Sequence, residues 1–319
     1  MSLWAEVDFD KSIDFDYSPD LSEITKDSAA AITFSEYPTM YDKCAYAHLY
    51  GKKPPDYVNG RKVGKSKNVH RRVIDAYLKA DEQLVRKLVE KRERGEWDKK
   101  DHVVVQCGKE LEQKPYVGRA FTKQTPNQRY LQVILESNIA TGIFPYVKNQ
   151  TMTPSELQIA TQLLTQIKMM GETAVFGCFD LKKWCLHQQI ILTYIAAKRY
   201  DQLFGFKGLF KSAHDFYLDP NIFCNSRFSP PDFDHKGLPI PGPFFMNKFI
   251  GGFEGMCQKA WTHVTGCILE LALEMCGLEG YVLGQGDNQV VILRMPAGLT
   301  KEEMEIKRKA FLQTCEALF

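Results

Sequence analysis

The chain has 319 residues, of which 44% are hydrophobic and 25% charged, with a formal net charge of +2. These are the proportions of ordinary folded proteins, so collagen-like, low-complexity and wholly disordered classes are excluded. The near balance of charge excludes a chain that attracts polyanions over its whole surface, and any pull on nucleic acid has to come from a local groove.

Charge is nevertheless unevenly spread. The first 36 residues hold nine acidic side chains against only Lys11 and Lys26, which reads as a surface or flexible lead-in. Basic residues then dominate Gly60 to Arg72. That stretch suits an RNA backbone or another polyanion, or is a solvated loop, since no aromatic residue is interleaved to stack on bases. The nine cysteines include no Cys-x-x-Cys pair. With no signal peptide at Met1 to Glu6 and no apolar run of membrane-spanning length, reduced thiols in an intracellular protein are expected.

Next in order, Gly108 to Phe121 carries Lys109, Lys114 and Arg119, with Pro115 and Gly118 preventing one uninterrupted helix. Cations so spaced suit a triphosphate, and a solvated charged loop is the alternative. Thr153-Pro154-Ser155-Glu156 reads as a capping box with Pro at the first helical position. Ala160, Leu163, Leu164, Ile167 and Met170 follow at helical spacing until Gly171. This helix delivers the chain to Ala174–Asp180, an apolar run with strand character that ends on an Asp. A second helix is predicted from Leu186 to Leu203. Cys185 and His187, beside that strand end, are not read as metal ligands. Asp219 to Pro243, rich in Pro, Asn, Asp and Gly, lacks periodicity and reads as a long connection.

A glycine-rich loop, Gly251 to Thr262, then leads into a predicted helix from Val264 to Met275. Glycine lets main-chain N–H groups approach a phosphate or sugar, while Gln258, Lys259 and Thr262 offer hydrogen bonds to a nucleotide or template. The loop fits no dinucleotide or P-loop spacing, and a plain loop-then-helix remains the alternative. Tyr281-Val282-Leu283 and Val290 to Leu293 flank Gly284-Gln285-Gly286-Asp287-Asn288-Gln289, which predicts a β-hairpin with Asp287 at its tip. A last helix begins at Thr300, where Thr300 and Glu303 form a capping box.

Two strand-end carboxylates, Asp180 and Asp287, therefore need explaining. Far apart in sequence, they become neighbours if their strands lie side by side in one sheet. Paired carboxylates suit a pair of hard cations, which about 3.5–4 Å apart clamp the attacking and leaving oxygens of an in-line phosphoryl displacement. Phosphoryl or nucleotidyl transfer is the implied reaction class.

Together and in this order the four segments resemble motifs F, A, B and C of the RNA-dependent RNA polymerase domain in the large (L) protein of non-segmented negative-strand RNA viruses, the Mononegavirales. Gly286-Asp287-Asn288-Gln289 matches the Gly-Asp-Asn-Gln of motif C in this order. Asp180 to Trp184, with Gln188 following, matches motif A, and Gly251 to Lys259 matches Gly-Gly-x-Glu-Gly-x-x-Gln-Lys of motif B. Leu111 replaces a motif F cation, Gln189 stands where related chains often carry Arg, and Cys257 stands where they carry a basic residue.

The resemblance implies an α/β (α+β) fold, the fingers and palm of a right-hand polymerase, incomplete and with the thumb missing. On that reading 1–100 are a lead-in and fingers-like region, 101–174 fingers with motif F, 175–299 palm with a fingers insertion at 205–250, and 300–319 a truncated helix. It implies RNA-directed RNA polymerase activity for viral replication and transcription, with Mg²⁺ or Mn²⁺ as cofactor. Asp180 and Asp287 would be metal ligands and, with Asn288, the catalytic set. Lys109, Lys114, Arg119, Gly252, Glu254, Gln258 and Lys259 would bind nucleotide. Implied partners are template and nascent RNA, NTPs, the viral phosphoprotein and nucleoprotein-coated RNA, in the virion and host cytoplasm or, for bornavirus-like members, the nucleus. One rival is an inactive truncated or endogenous viral remnant that keeps only an RNA- or partner-binding surface. Another, a metal-dependent phosphodiesterase, does not account for the glycine-rich loop.

Overall fold

The computed structural model describes residues 13–18, 81–108, 120–170, 174–218, 220–224, 232, 234–235, 240–243, 245–247, 249–253 and 256–319. Seven α-helices of seven or more residues and seven strands alternate irregularly along these residues, besides single turns such as Trp184–His187. In order they are α1 (Glu82–Glu93), β1 (Val103–Gly108), β2 (Ala120–Gln124), α2 (Pro126–Asn138), α3 (Glu156–Met170), β3 (Ala174–Asp180), α4 (Ile190–Phe204), α5 (Leu209–Asp215), β4 (Asn221–Cys224), β5 (Phe245–Met246), α6 (Gln258–Met275), β6 (Glu279–Gln285), β7 (Asn288–Arg294) and α7 (Lys301–Leu318). The fold is thus mixed, with helices and two small sheets.

One sheet has the order β2-β1-β4-β5, in which β1 and β4 run parallel and the outer pairs antiparallel. The other has the order β3-β7-β6 and is wholly antiparallel. Its side chains alternate between two cores, as a pleated strand requires. Tyr281, Leu283 and Ile292 pack on one face against Ile159, Leu163 and Ile167 of α3. Val282, Val291 and Leu293 pack on the other against Leu269 and Leu273 of α6 and Phe311 of α7. A third core gathers α1, α2, α4 and α5 around Leu131, Ile139, Tyr200 and Leu209, and Phe15 packs against it. The Ile13 amide donates to the Leu203 carbonyl at 2.7 Å.

Several local expectations hold and three shift. Thr300 and Glu303 form the reciprocal capping box of α7. The box of α3 lies two residues later than expected, between Ser155 and Gln158: the Ser155 amide donates to Gln158 Oε1 at 2.8 Å, and the Gln158 amide donates to Ser155 Oγ at 3.4 Å. Thr153 is instead drawn back to Gln150, whose side chain binds both its amide and its hydroxyl. The helix expected over Leu186 to Leu203 is broken. Trp184–His187 make one turn, Gln188 and Gln189 depart from helical backbone with ψ of 80° and 156°, and α4 begins at Ile190. Gln188, at the break, is 0% exposed. Helix α6 begins at Gln258, ahead of the expected Val264. The acidic lead-in outside 13–18, the basic stretch 60–72 and most of 219–243 lie outside the described residues. Among the described residues, no helix is long and apolar enough to cross a membrane.

Phe311 is 0% exposed and sets its ring 6.4 Å from that of Phe179 on β3. Phe311→Ala is expected to destabilise the chain by about 3–5 kcal/mol, as aromatic truncations in close-packed cores do. Urea denaturation measures this, and a loss below about 1 kcal/mol would mean that the site collapses around the deletion.

Candidate functional site

Antiparallel pairing of β6 with β7 runs out to Gln285 opposite Asn288, leaving Gly286 and Asp287 as a two-residue turn. Gly286 has φ +61°, the left-handed value that a hairpin turn with glycine at its first central position needs. The turn is held from three sides. Gln289 Nε2 donates to the Gly286 carbonyl at 2.7 Å, and Asn288 Nδ2 donates to Asp287 Oδ1 at 3.0 Å. From α6, the buried Thr262 hydroxyl accepts the Gly286 amide at 3.0 Å.

The neighbouring strand supplies the second carboxylate. Along the β3–β7 ladder Asp180 stands directly opposite Asn288. The ladder is extended by the Leu181 amide, which donates to the Asp287 carbonyl at 2.9 Å. Asp180 and Asp287 therefore occupy adjoining positions at the same end of one sheet, the first exposed and the second half-buried. Among the described residues neither forms an ion pair. Hard divalent cations take oxygen donors, and Mg²⁺ is typically bound through one or two carboxylates with substrate phosphates and water completing its shell. Two carboxylates fit that chemistry. Among the described residues there is no group of three or more His, Cys, Asp or Glu that could hold a metal ion.

Behind the carboxylates lies a layer of aromatic and polar contacts. Trp184, one short turn after Asp180, donates its indole N–H to Thr265 Oγ1 at 2.8 Å and meets Trp261 edge-on at 5.8 Å. Trp261 in turn donates to His214 Nδ1 at 3.4 Å. Burial pulls the His214 pKa down to about 4, against a hydrogen bond from the ring to the Gln188 backbone, so the ring is neutral at physiological pH. The glycine-rich segment folds down onto this layer. The Gly252 amide donates to the Cys185 carbonyl at 2.9 Å, and a Cβ on Gly252 would stand 2.2 Å from the Trp261 ring. Here the close approach that glycine permits is to protein.

The remaining expected site residues divide in two. Gln258 is half-buried at the start of α6, and Lys259, next to it, is 9% exposed and lies beside Glu136 of α2. Lys109, Lys114, Arg119 and Glu254, with the departure Leu111, lie outside the described residues. Sequence reading passed over Glu136, whose carboxylate accepts the Lys259 amide at 2.7 Å and the Ala260 amide at 3.4 Å. Burial raises its pKa, while Lys259, the two amides and Arg129 oppose the rise. No local signal marks it, because its partners are more than a hundred residues away along the chain.

The hairpin is clipped on its other flank. The Gly284 amide donates to the Asn149 carbonyl at 3.1 Å, the Thr151 amide donates to the Gly284 carbonyl at 3.0 Å, and the Tyr281 hydroxyl donates to the Lys148 carbonyl at 2.9 Å. The Asn149 side chain donates to Glu270 of α6. Burial pushes the Glu270 carboxyl up to about 7.

A family profile described as Mononegavirales RNA dependent RNA polymerase matches residues 1–317. The chain is 28% identical over 215 residues to the RNA-directed RNA polymerase L of Lettuce big-vein associated virus (isolate Japan/Kagawa), covering 63% of this chain and 10% of that protein. It is 23% identical over 350 residues to that of Sendai virus (strain Z), covering 92% and 15%. To that of Snakehead rhabdovirus it is 25% identical over 318 residues, covering 94% and 15%. The chain thus spans 10 to 15% of the length of these relatives.

Gly252→Ala drives a methyl into Trp261, which is 0% exposed and already braced by Trp184. A loss of about 1–3 kcal/mol is expected, the usual cost of overpacking, and would appear as a lowered thermal midpoint. An unchanged midpoint would mean that the segment moves aside freely. For Glu270 the folded pKa of about 7 lies above the ordinary 4.5. Its favourable contribution is therefore complete below the ordinary value and is lost as pH rises through the folded one. Glu270→Gln, which stays neutral, is expected to flatten the stability–pH curve across that window. Urea midpoints on either side of it provide the check, and an unaltered slope would exclude Glu270 as the source.

Proposed function

The chain belongs to the Mononegavirales RNA dependent RNA polymerase family, and we propose that it forms the catalytic palm and part of the fingers of an RNA-directed RNA polymerase. The observation that carries this reading is the β3–β7 register, with Asp180 opposite Asn288 and Asp287 next to it on the turn. On this reading the β3-β7-β6 sheet is palm, and the β2-β1-β4-β5 sheet with its helices belongs to the fingers.

Asp180 and Asp287 would hold Mg²⁺ or Mn²⁺, which when bound lower the pKa of an RNA 3′-hydroxyl and neutralise charge on the transferring phosphate. The protein's own part is to place those carboxylates. Asn288 orients the Asp287 carboxylate through its side-chain amide, and Gln289 fixes the Gly286 carbonyl. Lys109, Lys114 and Arg119 are assigned to the triphosphate, and Gly252, Glu254, Gln258 and Lys259 to the segment that borders ribose or template. In this assignment Gly252 and Lys259 act by shaping the segment, since the amide of one is bonded to Cys185 and the other lies against Glu136. Pyrophosphate is the leaving group. Partners are template and nascent RNA and NTPs, with the phosphoprotein and nucleoprotein-coated RNA of the same virus, inside the host cell.

Asp287→Asn removes one anionic ligand at nearly constant volume. In the complete polymerase carrying this chain it is expected to lower Mg²⁺- or Mn²⁺-dependent nucleotide addition by more than about a hundredfold with the fold intact. Primer extension on a short template measures it, and activity retained within about tenfold would remove the metal-ligand role from Asp287.

A further inference from the structure

Helix α6 begins without a cap of its own. Its N-cap residue, Cys257, stands in the left-handed region at φ +49° and its side chain caps none of the helix's first amides, although those amides need acceptors. The acceptor comes from α2, where the Glu136 carboxylate takes the amides of Lys259 and Ala260. One turn earlier on the same face of α2, Gln132 Nε2 donates to Cys257 Sγ at 3.4 Å. Residues spaced i, i+4 thus hold the entry turn of α6 from one side, and a carboxylate there also meets the positive end of the helix dipole. The following residues of α6 reach the site, since Thr262 Oγ1 accepts the amide of Gly286, immediately before Asp287.

We propose that Glu136 is a positioning residue for nucleotide addition: by capping α6 it fixes Thr262 beneath the hairpin tip and so sets where the Asp287 carboxylate stands. The catalytic half of this inference rests on the polymerase reading above, whereas its geometric half does not. If Glu136 merely held the helical core together, removing it would loosen the chain as a whole and leave no signature confined to the hairpin.

Amide hydrogen exchange of the 319-residue chain tests the geometry without catalysis. Glu136→Ala is expected to speed exchange at Gly286 by about tenfold while amides in the α7 core keep their protection, and Glu136→Gln, which retains an acceptor oxygen, recovers part of the effect. Unchanged exchange at Gly286, or a rise shared equally by the α7 core, overturns the proposal. In the complete polymerase, Glu136→Ala is expected to lower kcat for single-nucleotide addition by about tenfold or more with the nucleotide KM within about threefold, and Glu136→Gln to restore much of it. A kcat within about twofold of the parent overturns the positioning role. An Asp287→Asn polymerase that stays active would instead count against the metal-ligand reading of Asp287 and leave the exchange result standing.

Discussion

The hydrogen bond from the Leu181 amide to the Asp287 carbonyl extends the β3–β7 ladder past its last residue pair, and the placement of both carboxylates follows from it. Side chains alternate along a strand, so a slip of one residue between β3 and β7 would turn one carboxylate toward the opposite face. The register resists such a slip because both faces of the sheet are occupied. Exchanging Ile292 with Val291 or Leu293 would move side chains between the core under α3 and the core under α6 and α7. The chemistry at the sheet end is in this sense a consequence of packing at its middle.

Helix α6 connects that sheet to the rest of the molecule. Along its length it offers amides to Glu136, the Thr262 hydroxyl to the hairpin tip, the Thr265 hydroxyl to Trp184, and Leu269 and Leu273 to the sheet core. Thr262 and Thr265 are both buried, and each is engaged by a donor from another element. Buried hydroxyls carry a desolvation penalty that such hydrogen bonds offset, and their directionality fixes rotation about the helix axis more tightly than apolar contact does. The tryptophan pair and the glycine-rich segment lie against the same helix, which links the end of β3, the loop ahead of α6 and the hairpin in one packed layer.

The elements legible beforehand are those governed by local rules. The α7 capping box needs only Thr300 and Glu303 three residues apart, and the hairpin needs only two apolar runs around a glycine-containing turn. Where expectation and structure part, contacts that the local pattern does not encode have intervened, near in sequence at Thr153 and far from it at α6. Ser155 competes with Thr153 for the start of α3, and Gln150 decides the outcome by binding Thr153. The helix expected after Asp180 breaks at Gln188 and Gln189, whose backbone leaves the helical region. Helix α6 extends back to Gln258 because Glu136 supplies acceptors that no neighbouring residue provides.

What the sequence determined by itself was the identity of the chemical groups: an Asp at the end of an apolar run, a second Asp in a tight turn, a glycine pair ahead of a helix, and motifs specific enough to indicate the family that the profile match bears out. Those properties follow from backbone preference and side-chain type, which act over a few residues. Only the tertiary structure decided that Asp180 faces Asn288, that Gly251 is pressed on the backbone of Leu186, and that Lys259 lies beside Glu136. Each of these joins segments separated by many residues, and their meeting is selected by the summed burial of both sheet faces and the helix core rather than by any local preference.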